Sequence, residues 1–275
     1  MAALLFKGAH VFYLTWGQGQ PIMLLHSGGS SSSQWTKVAE QLSAHHRIIA
    51  PDLLGFGATE AWPVPGGLTH DLQADLVAEV MRNEGSAALD VVGHSYGGAT
   101  AIRLLLGRPQ LVRSLILIEP IVSWLLKDAN DPLYEESVAV ARSFIASVDA
   151  GRSEQGWEAF LDSRNGAGTW ARMSDKGKAR FLAQSRHSKE GFISNLNNHT
   201  TLAECRRIAV PTTVVCGAET TRPDRRTTEL LRDAIPCSHY ELIRGAAHMS
   251  PFTHPEQVAH VIREHLARVQ RLRGS

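Results

Sequence analysis

Through its first 120 residues the chain alternates short apolar, β-branched runs with longer stretches at helical spacing. That rhythm points to a mostly parallel sheet with helices on both faces. "HVFYLTW" and "PIMLLH" read as strands joined by the turn-forming "GQGQ". "WTKVAEQLSAH" follows as a helix, "RIIAPD" as a strand, and "LTHDLQADLVAEVMRNEG" as a helix with Leu72, Leu76 and Val80 on one face and Gly85 at its end. "ALDVVGH" is a buried strand, "SYGGATAIRLLLGRP" a helix closed by Gly107 and Pro109, and "RSLILIE" the next strand. After Glu119 the rhythm stops. Helix candidates replace strands, the clearest opening at Asp131-Pro132 and running to Val148. Strands and helices then resume with "PTTVVCG", a helix near Asp224 to Ala234, "HYELIRG", and a last helix where Thr253 and Glu256 bracket Pro255 in the pattern of a capping box. The expected architecture is therefore one doubly wound sheet of about eight strands, carried by residues 1–120 and 201–275 and interrupted by a helical insertion over 121–200.

Composition narrows the partners. With 43% hydrophobic and 20% charged side chains, 275 residues can bury a large core. The 28 basic and 27 acidic residues nearly cancel, which speaks against nucleic acid or a charged membrane surface and for a small-molecule substrate. Cys205, Cys216 and Cys237 have neither metal-like nor disulfide-framework spacing. The apolar start, Ala2 to Phe6, is broken at Lys7, too early for a signal-peptide core, and no segment reaches the ~20 apolar residues of a membrane helix. These features suit a cytoplasmic protein.

The segment "DVVGHSYGGATA" carries the sharpest chemical signal. A serine hydroxyl is a poor nucleophile and needs both a base and a fixed, exposed position. At a strand-to-helix junction, G-x-S-x-G supplies that position through a turn so tight that side chains two residues either side would collide, and Gly93 and Gly97 remove them. A glycine-rich turn that merely caps the helix with Ser95 is the plainer reading; the apolar strand before it and the helix after it favour the nucleophile. Attack on a carbonyl builds negative charge on oxygen, which two backbone N–H groups can stabilise. Tyr96 offers one and Gly28, in "HSGG", the other, with Ser27 as the alternative. Among thirteen histidines, His248 stands in the loop between the last strand and the last helix, at the sheet edge where such folds bind ligands. His94, beside the serine, is expected to pack beneath the site.

Taken together, "LLHSGG", "PDLLGFG", "GHSYGG", "LILIEP", "PTTVVCGAE" and "GAAHMSPFTHPE" resemble the α/β-hydrolase superfamily over nearly the whole chain. The resemblance implies a helical cap after the sixth strand and a Ser-His-acid triad, with neither a metal nor an organic cofactor. Many members place the acid after the seventh strand, but the corresponding position here is Thr220. Glu119, at the end of the sixth strand, is favoured instead, with Asp224 and Glu219 as alternatives. The expected reaction is ester hydrolysis through an acyl-enzyme on Ser95, with His248 as general base and then acid. A carbon-carbon bond hydrolase or a non-catalytic small-molecule receptor on the same fold are the competing readings. Of the insertion's aromatic residues, Trp124, Trp157, Trp170, Phe160, Phe181 and Phe192, most are expected to pack it onto the core, and Arg164, Arg172 and Arg186 are expected to face solvent.

Overall fold

The computed structural model describes residues 2–274; Met1 and Ser275, the outermost positions of the first and last expected segments, lie outside the described residues. Eight strands, β1 (Ala2–Phe6), β2 (Ala9–Trp16), β3 (Gln20–Leu25), β4 (His46–Pro51), β5 (Leu89–His94), β6 (Val112–Ile118), β7 (Thr212–Gly217) and β8 (His239–Ile243), form one sheet in the order β1-β2-β4-β3-β5-β6-β7-β8. β1/β2 and β2/β4 pair antiparallel and every later pair is parallel. All six residues of both β5 and β7 are buried, as strands covered on two faces require.

The first strand is a correction to the sequence reading, which took Ala2 to Phe6 only as an apolar start. It forms an edge hairpin with β2 through Lys7 and Gly8, both at positive φ (47° and 89°), as a two-residue turn between twisted strands needs. Lys-Gly is a weaker hairpin signal than Asn-Gly, which is why composition did not mark it.

Helices α1 (Thr36–Leu42), α2 (His70–Asn83) and α3 (Tyr96–Gly107) follow β3, β4 and β5. Between β6 and β7 come α4 (Trp124–Asp128), α5 (Leu133–Asp149), α6 (Ser153–Asn165), α7 (Asp175–Ala183), α8 (Ser185–Leu196) and α9 (Leu202–Cys205), with no strand among them. The chain ends with α10 (Arg222–Ala234), α11 (Ser250–Thr253) and α12 (Pro255–Gly274). Val38 and Leu42 of α1 pack with Val258, Ile262 and Leu266 of α12 on one face of the sheet. Leu76, Val77 and Val80 of α2, the buried stripe of α3 and Leu230 and Leu231 of α10 cover the other. A separate aromatic cluster, Phe144, Trp157, Leu161 and Trp170, holds the helices after β6 together. No helix among the described residues is long and apolar enough to cross a membrane.

Two helix starts differ in detail. α5 begins at Leu133 with Pro132 at its N-cap, one residue later than expected, and Asp131 just ahead of it accepts the N–H of Leu133 at 3.0 Å. Thr253, by contrast, closes α11, and its hydroxyl donates to the Met249 carbonyl at 3.2 Å instead of capping α12, so the capping box with Glu256 does not form. The short α11 intervenes because Pro251 starts a helical turn of its own, a detail hidden by the adjacent Pro255.

Candidate active site

Ser95 sits between β5 and α3 at φ 55° and ψ −114°, a conformation that costs on the order of 1–3 kcal/mol for a residue with a Cβ. The strain is held by packing on both sides. A Cβ on Gly93 would lie 2.5 Å from the Gly97 carbonyl oxygen, and one on Gly97 would lie 2.4 Å from that of Leu25. The Ser95 N–H donates to Ile118 of β6 (2.9 Å), and the Gly97 N–H to His26 at the end of β3 (3.0 Å), so the turn is tied to both neighbouring strands.

The loop after β8 brings the His248 ring, 3% exposed, against this turn. Its Nε2 is 2.9 Å from Ser95 Oγ and its Nδ1 is 2.8 Å from Glu119 Oε2. Glu119 leaves the end of β6 at φ 41°, like Ser95 a non-glycine residue at positive φ, which swings its carboxylate across the sheet edge. Gly217 N–H donates to Oε1 and Thr220 Oγ1 to Oε2, both at 2.6 Å. Thr220, which stands after β7 in place of the more common aspartate, thus supports the carboxylate from β6. Of the other candidate acids, Glu219 is exposed, while Asp224 is buried with Oδ2 3.7 Å from His248 Nδ1. Asp224 is not the N-cap of α10; Thr221 is, accepting the Asp224 N–H. Burial alone would raise the Asp224 carboxyl, but the Arg164 guanidinium and the nearby His248 outweigh it and hold it below the usual range.

His94 lies 5.2 Å from the His248 ring, centroid to centroid, and acts on its backbone. Its Nε2–H donates to the His248 carbonyl at 2.8 Å, and its Nδ1 accepts from Gln34 Nε2 at 3.1 Å. Burial, aided by the neighbouring His248, pushes its pKa well down, which keeps it neutral and fits that pair of bonds. Gln34, unnoticed in the sequence, also accepts from Ser27 through Oε1, from its N–H at 3.1 Å and its hydroxyl at 2.8 Å. The Ser27 N–H is therefore occupied. Those of Gly28 and Tyr96 have no acceptor among the described residues, and both residues line the cavity at Ser95. Gln184 of α8's preceding turn donates to the Gly29 carbonyl at 2.6 Å and fixes the next peptide of this loop. The Tyr96 phenol points elsewhere, bonded to Gln73 and Ser194, and burial pushes it up to about 12.

Two lobes of open space meet at Ser95. One, of about 620 Å³, is lined by Phe56, Ile121, Val138, Ala141, Phe160 and Phe192. The other, of about 820 Å³, runs past Met173, Phe181, Met249 and Phe252. Phe160, Phe192 and Phe181 thus face ligand space, whereas Trp157 and Trp170 are buried in the aromatic cluster and Trp124 packs on His199. Arg172 and Arg186 face solvent as expected, but Arg164 does not: it is 8% exposed and pairs with Asp224.

Over residues 22–261 the chain matches the family described as the alpha/beta hydrolase family, and it belongs to that family. It is 26% identical over 256 residues to the pimeloyl-[acyl-carrier protein] methyl ester esterase of Aeromonas salmonicida, covering 90% of this chain and 95% of that one. Over 259 residues it is 27% identical to the 2-hydroxymuconate semialdehyde hydrolase of Pseudomonas sp. strain CF600, covering 91% and 88%. Its fold is that of a thermophilic esterase from Thermogutta terrifontis, with a TM-score of 0.81, 97% of each chain covered and 22% identity.

Proposed function

We propose that the protein is a serine hydrolase cleaving carboxylic esters of small, largely apolar substrates, with Ser95 as nucleophile, His248 as general base and acid, and Glu119 as the acid that orients it. The observation that carries this reading is one imidazole ring bridging Ser95 Oγ at 2.9 Å and a buried carboxylate at 2.8 Å. With Nδ1–H donating to Glu119, Nε2 is left as the acceptor that a base needs. His248 takes the hydroxyl proton as Ser95 Oγ attacks the ester carbon, and Glu119 stabilises the imidazolium that forms. The charge on the carbonyl oxygen is met by the free N–H groups of Gly28 and Tyr96, each worth roughly 100- to 1,000-fold in rate. His248 then protonates the departing alcohol, and a water activated by the same nitrogen releases the acid.

In this reading residues 121–200 serve as a cap over a core made of 1–120 and 201–275. The apolar lining of the lobes supports an apolar acyl or alcohol group. The three unpaired cysteines suit a cytoplasmic setting. Labelling by a fluorophosphonate probe and turnover of short p-nitrophenyl esters test the proposal. Ser95→Ala is expected to abolish labelling and to lower turnover by ~10⁴-fold or more with an unchanged melt. A wild-type protein that takes no label, or that binds ligands without turnover, would overturn it. The likeness to a semialdehyde hydrolase favours carbon-carbon bond cleavage as a second reading, in which a vinylogous diketone chromophore would bleach faster than any ester is cleaved.

A further inference from the structure

The proposed mechanism leaves Asp224 unused. From the first turn of α10, its Oδ2 stands 3.7 Å from His248 Nδ1, the nitrogen that donates to Glu119 at 2.8 Å. Asp224 is 5% exposed, and its oxygen already accepts from Thr221 Oγ1 at 2.8 Å and from Arg164 Nη1 of α6. A carboxylate buried this close to an imidazole would compete for its N–H unless other donors engaged it. Arg164 is the charged donor that does so, and it comes from the helical segment, where it also lines both lobes of the cavity. The charged and titratable groups around the ring are Glu119 from β6, Asp224 from α10, Arg164 from α6 behind Asp224, and the neutral His94 from β5.

We infer that Asp224 is a reserve positioning residue for His248, held off the imidazole by Arg164, so that α6 sets how strongly a second negative charge acts on the base. The inference rests on the triad proposed above. Because the two partners of the ion pair carry opposite charge, their removal shifts the base in opposite directions, whereas a pair that only holds the structure together would lose stability from either side alike.

The pH profile of kcat/KM on a short p-nitrophenyl ester separates these. Asp224→Asn removes a negative charge beside the imidazolium and is expected to move the acidic limb to lower pH. Arg164→Met unmasks that charge and is expected to move it to higher pH, each by about one pH unit, while Arg164→Lys leaves it in place. In Glu119→Gln the Nδ1–H turns to Asp224, so turnover falls by about 100-fold; in Glu119→Gln/Asp224→Asn it falls by ~10⁴-fold, the loss seen when a catalytic histidine has no carboxylate partner. Limbs that move together or stay put, or equal turnover in the single and double Glu119 variants, would overturn the inference. If an Arg164 variant does not fold, the Glu119 pair decides alone. Wild-type labelling at Ser95 with no such shifts removes this inference and keeps the triad; absent labelling removes the triad itself.

Discussion

The loops at the carboxyl ends of the strands and the helical segment between β6 and β7 build the same site by different means. In the loops, position is set by backbone: Gly28 follows β3, Ser95 follows β5, Glu119 follows β6, and His248 follows β8, and beside the last three stand Gly93, Gly97, Gly98 and Gly217, where a Cβ would come within 2.4–2.7 Å of a neighbouring atom. The segment is set by side chains. An aromatic cluster holds it together, and its polar ties to the site's surroundings include Gln184 to the Gly29 carbonyl and Arg164 to Asp224. Interior backbone contacts of this tightness cannot relax, while apolar side chains can repack at modest cost. Under the proposed function, the loops are thus where the chemistry would be fixed and the segment where substrate choice could vary.

Substitutions that break one region and spare the other sharpen this contrast. Gly97→Ala should be the most damaging, since its Cβ would meet the Leu25 and His26 carbonyl oxygens at 2.4 and 2.6 Å. A loss above ~4 kcal/mol in denaturant unfolding is expected, and a fully stable variant would remove the backbone account of the loops. Trp157→Ala, in the segment, should cost about 3–5 kcal/mol. Trp157 also donates to Ser185 and lies 3.0 Å from where a Gly29 Cβ would stand, so KM should rise more than kcat falls. A kcat loss with unchanged KM would mean that the segment takes part in the chemistry.

Acid should then act on both regions. Burial brings His70 and His265 down to about 4. Both rings stay neutral in the folded protein while the unfolded chain takes up protons near 6.5. The stability they supply is complete above that pH and is lost as pH falls toward 4, by about 1.4 kcal/mol per pH unit for each ring. The His265 ring bonds Thr213 in the sheet, whereas that of His70 is 2.9 Å from Asn195 of α8. His265→Gln should therefore flatten the slope by about one proton without touching KM, and His70→Gln should do both; an unaltered slope in His265→Gln would refute the assignment. The smallest effect expected is that of Gln184→Ala, about tenfold in kcat/KM through one lost hydrogen bond to the Gly28–Gly29 loop. A change of under twofold would show that the loop holds its shape without the segment.

Much of this molecule can be read before it folds. Apolar periodicity marks seven of the eight strands, the helical interruption after Glu119 and the Gly93–Gly97 turn, because these are local properties of a few consecutive residues. The Lys7-Gly8 hairpin escapes for want of a strong turn signal, and the cap of α12 because two prolines compete for the same start. What no local pattern could supply is which carboxylate reaches His248. Glu119, Asp224 and Glu219 are alike in composition, and only a φ of 41° at the end of β6, with Gly217 and Thr220 as donors, brings Glu119 to 2.8 Å while Glu219 turns outward. The same holds for Gln34, bonded to Ser27 and His94 across 60 residues, and for Arg164, expected in solvent and buried against Asp224. Strand, helix and sharp turn follow from neighbours along the chain, and so the sequence alone determined them. Hydrogen-bond partners and the sharing of charge depend on directions in space that the packed sheet alone decides.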